Sequence, residues 1–371
     1  MTRAMGRRLT LVLTQLAVVA GLLEGGARIA EWIHPFRPDL SFRYAPYRML
    51  RMEKAPWPLN REGFRAREFD RYQGLFLIEF LGGSVCLGVG TNVGKTLPER
   101  LEEALHQSGF ERAAVVNLCQ GGASSAQEFA IFAEYGLPLD PQVVISFDGA
   151  NDLLHPQPVG DDEAPNLPYL NAEARARVDG DGEWLSHMAA VRVAARLGGH
   201  WRGRRTHKGP GVRTEAIVGS YLYTLGLTRT LAESRGALYA VILQPTLHVA
   251  KPWSPQETKM WSARLGEDRE GIARQSATRY RAASLALANW GNQNQVPVYD
   301  LSHAFEHWNG NVYSDSVHFS GPQGYEVLFE QMRLRGLLGR IAAQYGNWDA
   351  KRPAQDASAG RGGTMAWAPP Q

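Results

Sequence analysis

The chain has 371 residues, 44% of them hydrophobic, enough to bury a large core in one large domain or two smaller ones. Its 40 Lys and Arg against 37 Asp and Glu leave a net charge of only +3, which excludes a global field for nucleic acid, and no nucleic-acid-binding motif is present. Two cysteines in such a length exclude a disulfide scaffold, and neither has metal-ligand spacing.

The start is basic (Arg3, Arg7, Arg8) and is followed by an apolar run from Leu9 to Leu23. A retained signal anchor, a cleaved signal peptide and a soluble amphipathic helix all fit such a start. The anchor is preferred, because no clean small-x-small cleavage site follows. The run is short for a span of roughly twenty residues. Gly25, Gly26, Ala27, Ile29 and Ala30 extend it if Glu24 and Arg28 pair or snorkel. Residues 1–33 are therefore expected to anchor the protein, making membrane contact through residues 9–33. By the positive-inside bias the body then lies outside the cytoplasm, secreted if the N-terminus is cleaved.

Residues 34–73 are rich in Pro, Arg and aromatics and read as an extended linker along the surface. Within them, Asn60-Arg-Glu-Gly-Phe-Arg65 reads first as a turn and alternatively as a contact with the domain rim. From Gly74 the pattern alternates strand and helix. Strands are predicted at Leu75–Leu81, Ala113–Leu118, Gln142–Phe147, Leu238–Leu243 and Val296–Leu301. Helices are predicted near Leu97–Leu105, with Pro98 in the first turn, and at Ser125–Tyr135, Glu215–Ser234 and Leu265–Trp290. A last helix is expected to open at Ser320 as N-cap and run to about Tyr345. Strands separated by helices imply a parallel sheet covered on both faces. Regularity breaks across 155–214, which reads as an insertion or lid. Its basic cluster Trp201–Lys208 is either a solvated charge run or an anion-binding surface. The domain closes near 346, and the tail 347–371 has the composition of a disordered segment.

Four segments fall at strand ends or just beyond them: Gly82-Gly83-Ser84, Asn117-x4-Gly122, Gly149-Ala150-Asn151-Asp152 and Asp315-Ser316-Val317-His318. A serine hydroxyl needs a base, and the base needs a carboxylate to hold its tautomer. Asp315 and His318, three apart, can supply both to Ser84. The oxyanion of acyl transfer needs positioned donors, which the Ser84 and Gly122 amides and the Asn151 side chain can be. No metal or organic cofactor is required.

In order and spacing, these segments resemble the blocks of the SGNH (GDSL-type) hydrolase superfamily over about residues 74–345. The resemblance implies a flavodoxin-like three-layer α/β/α sandwich with sheet order 2-1-3-4-5. It implies Ser84 as nucleophile, His318 as base, Asp315 as its orienter, and Ser84, Gly122 and Asn151 as oxyanion hole. The family's first block usually reads Gly-Asp-Ser; Gly83 in place of the Asp, with Asn60 to Arg65 upstream, is similar to a membrane-anchored bacterial branch. Cys86, where small polar residues are often found, is expected to alter the pocket rather than the chemistry.

The leading expectation is a serine esterase acting on short acyl esters, such as O-acetyl groups on a glycan. An O-acyltransferase, a lipid ester or thioester hydrolase and a non-catalytic glycan-binding protein are the alternatives. Trp184, Trp201, Trp253 and Trp261 are read either as sugar-stacking or as lid packing. His155, His248, His303 and His307 are read as loop or rim residues, and Asp152 as a loop-bracing carboxylate. Cys86 and Cys119 follow adjacent strands; two buried thiols are the default and a disulfide the alternative. Glu79, a carboxylate inside a strand, is placed at a sheet margin.

Overall fold

The computed structural model describes residues 14–15, 18–29, 41–45, 48–91, 94–154, 213–262 and 269–351. At its centre are five parallel strands: β3 (Phe76–Gly82), β4 (Ala113–Asn117), β5 (Val143–Asp148), β6 (Leu238–Leu243) and β7 (Val298–Asp300), ordered β4-β3-β5-β6-β7. In strand sequence this is the expected 2-1-3-4-5. Every residue of β3, β4 and β5 is buried, because both faces of the sheet are covered.

Alternate side chains enter two cores. One face carries Phe76, Ile78, Phe80, Val115, Ile145 and Ile242 against α2 (Leu97–Gln107), α9 (Pro322–Leu334) and α10 (Leu337–Asp349). The other carries Leu77, Leu81, Val116, Val144 and Val241 against α3 (Ser125–Ile131), α5 (Thr214–Glu233) and α8 (Arg269–Asn294). The period-two alternation thus builds three layers from one apolar run per strand. Each fully buried aliphatic or Phe side chain contributes about 1.5–3 kcal/mol. Helix α2 starts where its sequence says it should. Thr96 accepts from the Glu99 amide, the Glu99 carboxylate accepts from the Thr96 amide, and Pro98 occupies the first turn.

Five expectations are corrected. The linker holds a two-stranded antiparallel sheet, β1 (Ser41–Ala45) with β2 (Met49–Lys54), because Pro spacing says nothing about pairing across a turn. The single last helix is two, α9 and α10, broken at Gly336 with φ +86°. Helix α10 then continues to Asp349, past the expected end near 346. Ser320 is not the N-cap; Gly321 is, and the Ser320 hydroxyl donates instead to the Val312 carbonyl. Glu79 is not at a margin: it is fully buried in β3, between β4 and β5.

Residues 18–29 are helical, and the Arg28 guanidinium pairs with Glu24 at 2.9 Å. Among the described residues no helix is long and apolar enough to cross a membrane. The first half of the 1–33 segment, most of the insertion at 155–214 with its basic cluster, His155, Trp184 and Trp201, and the tail beyond 351 lie outside the described residues.

Candidate active site

Ser84 sits where β3 turns sharply into α1 (Ser84–Leu87), a single helical turn closed by Gly88 at φ +84°. Two glycines make the turn possible by different means. A Cβ on Gly82 would lie 2.3 Å from the Phe147 carbonyl, so backbone packs where a side chain would stand. A Cβ on Gly83 would lie 2.6 Å from the side-chain nitrogen of Asn151. The Asn151 amide therefore fills the space a side chain at 83 would take. This gives a local physical reason for glycine at the position where the resembled block usually carries Asp.

The turn is held from below by Arg65. Its guanidinium donates to the Leu87 and Gly88 carbonyls at 3.4 and 3.1 Å and stacks over the Trp57 ring at 4.5 Å. The Leu87 carbonyl ends α1 and the Gly88 carbonyl, which also accepts from the Thr91 amide, follows it, so a buried cation is well matched to them. The Asn60–Arg65 segment thus satisfies both of its readings. Asn60 Oδ1 accepts from the Glu62 and Phe64 amides in a turn with Gly63 at φ +81°, and Arg65 contacts the domain.

Asp315 and His318 lie on a loop that closes on itself: the Ser314 amide donates to the His318 carbonyl at 2.8 Å, and Tyr313 bridges Phe319. His318 Nδ1 is 2.7 Å from Asp315 Oδ2, and His318 Nε2 is 2.6 Å from Ser84 Oγ. The other Asp315 oxygen accepts from the Val317 and His318 amides, each at 2.8 Å. Burial alone would raise the Asp315 carboxyl. The hydrogen bond and charge of His318, with the two amides, outweigh it and hold the group down at about 2. A carboxylate there selects the Nδ1–H tautomer, leaving Nε2 free to accept from the Ser84 hydroxyl.

The remaining singled-out residues converge on the same turn. Gly122 takes φ +76° in the loop after β4, and Asn151 opens α4 (Ala150–Leu154) after Gly149 at φ +100°. The Asn151 amide donates to the Ala123 carbonyl at 2.6 Å, and the Gln120 amide to the Gly82 carbonyl at 2.9 Å. Asp152 accepts from the Ser125 amide and hydroxyl, bracing α3 against α4. Cys86 and Cys119 are not two free thiols: they form a disulfide, Cα atoms 5.7 Å apart, tying α1 to the loop after β4.

Behind α4 the structure buries acids that sequence reasoning missed. Tyr221 donates to Asp148 Oδ1, and the buried Glu128 carboxyl stands near Asp148 and Asp152. Burial, then the charge of Asp152, pushes Asp148 up to about 7, and burial with the charges of Asp148 and Asp152 pushes Glu128 up. Burial likewise raises Glu79, whose two oxygens lack hydrogen-bond partners. Acidic residues one turn into a helix or at a strand end read as solvent-facing, so no sequence signal marked this cluster.

Other candidates stay apart. His303 and His307 face Glu306 on an exposed loop, and His248 packs with Trp253 and Trp261. Trp261 is buried and the Trp253 indole donates to the Leu247 carbonyl, so these two indoles serve packing. A cavity of about 510 Å³, lined by Phe69, Tyr72, Asp140 and Trp348, opens at the amino ends of the strands, opposite Ser84. Among the described residues, no group of His, Cys, Asp and Glu is arranged to hold a metal ion.

No family model matches the chain, and no curated protein matches its sequence. Among solved structures, it is similar to an acetyl xylan esterase at 12% identity and TM-score 0.41, over 70% of this chain and 98% of that one. The lipase/acylhydrolase from Enterococcus faecalis is similar at 17% identity and TM-score 0.41, over 72% and 97%. A GDSL-like lipase from Bacteroides thetaiotaomicron is similar at 12% and 0.39, over 71% and 88%. These three solved structures are thus an esterase, a lipase/acylhydrolase and a GDSL-like lipase, at a level of likeness that leaves this chain's function to be argued from its own side chains.

Proposed function

We propose that the protein is a serine ester hydrolase working through an acyl-Ser84 intermediate. One observation carries this reading: the unbroken line from Asp315 Oδ2 through the His318 ring to Ser84 Oγ, with 2.7 and 2.6 Å between heavy atoms. That spacing is within the reach a nucleophile and its base require.

In this reading His318 Nε2 takes the Ser84 proton as Oγ bonds to the acyl carbon, and the carbonyl electrons move onto oxygen. The oxyanion is received by the Ser84 and Gly122 amides and by Asn151, whose amide has a second N–H beyond the one given to Ala123. Collapse breaks the ester C–O bond, and the departing alkoxide leaves with the Nε2 proton. Water then repeats the sequence, giving carboxylic acid and free Ser84. Asp315 stays ionised throughout, stabilising the imidazolium.

For substrate we propose short acyl esters, such as O-acetyl groups on a glycan. The basic and then apolar N-terminus supports export and anchoring, and outside the cytoplasm surface glycans carry such esters. Purified protein is expected to release p-nitrophenol from short-chain esters, falling with chain length, and Ser84→Ala is expected to lose that activity. Equal activity in Ser84→Ala would refute the proposal. Product analysis with a glycan acceptor distinguishes water from a sugar hydroxyl as acyl acceptor, and carbonate extraction of membranes tests the anchor.

A further inference from the structure

The loop that carries Asp315 and His318 is gripped by a buried ion pair from elsewhere in the chain. Helix α6 (Leu247–Ala250) and α7 (Pro255–Ser262) follow β6, and both side chains of the Lys251–Glu257 pair between them are fully buried. Glu257 Oε2 accepts from Lys251 Nζ at 2.5 Å and from the Ser254 amide at 2.8 Å. Its Oε1 accepts from the Val312 and Tyr313 amides at 2.9 and 3.0 Å. Lys251 Nζ also donates to the Gly310 carbonyl at 2.6 Å. The pair therefore holds the 310–313 backbone through both its donors and its acceptors, immediately before Asp315. A separate bond from the Leu247 amide to the Ser316 carbonyl, 3.0 Å, secures the other side of Asp315.

We infer that Glu257, fixed by Lys251, is a positioning residue that sets where His318 stands relative to Ser84, an inference that rests on the reading of the site above. A buried ion pair is a poor way to add stability, since well-packed apolar residues often do as well or better. What a carboxylate does and an apolar side chain cannot is accept two consecutive backbone amides at fixed angles. Burial by itself would raise the Glu257 carboxyl, but Lys251 and the three amides hold it below the usual range, so it remains a charged acceptor. The pair reaches across the chain to a loop whose other backbone tie to a distant segment is the Leu247–Ser316 bond, and the 2.6 Å contact between His318 and Ser84 depends on where that loop sits.

Two variants test this in the full chain. Glu257→Gln keeps the shape but turns an N–H₂ group toward the Lys251 and Ser254 donors. Lys251→Met with Glu257→Met removes both charges and also the partners of the Ser254, Val312 and Tyr313 amides and the Gly310 carbonyl, so its Tm is expected to fall and its kcat is read on folded protein below that Tm. A displacement of about 1 Å distant from the chemistry can lower a rate 10²-fold. The expected result for both is a kcat lower by about tenfold to 10²-fold on a short-chain p-nitrophenyl ester, with KM within about twofold. The downfield proton resonance of the His318 Nδ1–H is expected to broaden or vanish, and the fluorophosphonate reaction at Ser84 to slow in step with kcat. A double variant that folds and keeps wild-type kcat overturns the inference while leaving the site reading intact. Activity that survives Ser84→Ala overturns the reading itself, and the inference with it.

Discussion

Gly83→Ala tests the tightest packing relation at the site. The backbone at Gly83, φ −84° and ψ −156°, suits any L-residue, so the added methyl strains nothing locally. Its new Cβ instead meets the Asn151 side-chain nitrogen at 2.6 Å, which must retreat by about 0.8 Å to reach ordinary contact. Asn151 is already drawn close to Ala123 by a 2.6 Å bond, so retreat weakens that bond and displaces the amide proposed as an oxyanion donor. Losing one oxyanion donor costs about 10²–10³ in kcat, or about 2.7–4 kcal/mol of transition-state stabilisation. Because the donor is displaced rather than removed, about tenfold to 10²-fold is expected, with folding stability reduced by about 1 kcal/mol. The assay is a double-mutant cycle on a short-chain ester, with Gly83→Ala, Asn151→Ala and both together. If the methyl acts through Asn151, it adds almost nothing in the Asn151→Ala background. Wild-type kcat in Gly83→Ala, or full additivity in the double variant, would refute the reasoning.

Asp315→Asn is expected to lower kcat by about 10³–10⁴-fold with KM little changed, as the His318 tautomer is lost. Asp315 lies below its ordinary value in the folded protein, so its stabilising contribution is present above the unfolded value near 3.8 and disappears as pH falls through about 2. The melting curves of wild type and Asp315→Asn are accordingly expected to converge in that acid window and differ at neutral pH. Glu79 is shifted the other way: it favours folding below its unfolded pKa and loses that contribution as pH rises, since the fold resists its ionisation. Glu79→Met is expected to raise stability at pH 8 by about 1–3 kcal/mol with activity unchanged; a lower Tm at pH 8 would contradict the burial argument. Arg65→Lys keeps the charge but not the guanidinium plane that stacks on Trp57 while its Nη1 serves both carbonyls. It is expected to cost about 1–3 kcal/mol in denaturant titration and to slow fluorophosphonate labelling of Ser84; unchanged labelling would separate Arg65 from the nucleophile turn.

The sequence by itself determined the sheet and the ends of its strands. Runs such as Phe76–Leu81 and Val143–Phe147 are apolar at every position but Glu79 and Ser146, a pattern that a strand covered on both faces tolerates, and the glycines after them mark where the chain must turn. Ser84, Gly122, Asn151, Asp315 and His318 stand out in the sequence because they fall at or just beyond strand ends in the order and spacing of the blocks they resemble, and the structure brings Ser84, His318 and Asp315 into one hydrogen-bonded line. Tertiary structure decided what depends on partners distant in the chain. Glu257 meets Val312, Arg65 meets Gly88 and Asn151 fills the space above Gly83, and no local pattern encodes such encounters. The disulfide also belongs there, since two cysteines after neighbouring strands are read as thiols until the turn angles bring their sulfurs together. So does the burial of Glu79, Glu128 and Asp148, because the sequence shows an acid but not what covers it. Periodicity reports how a segment faces its own core, while the alignment of Ser84, His318 and Asp315 depends on contacts between segments that only the closed fold brings within a few ångströms.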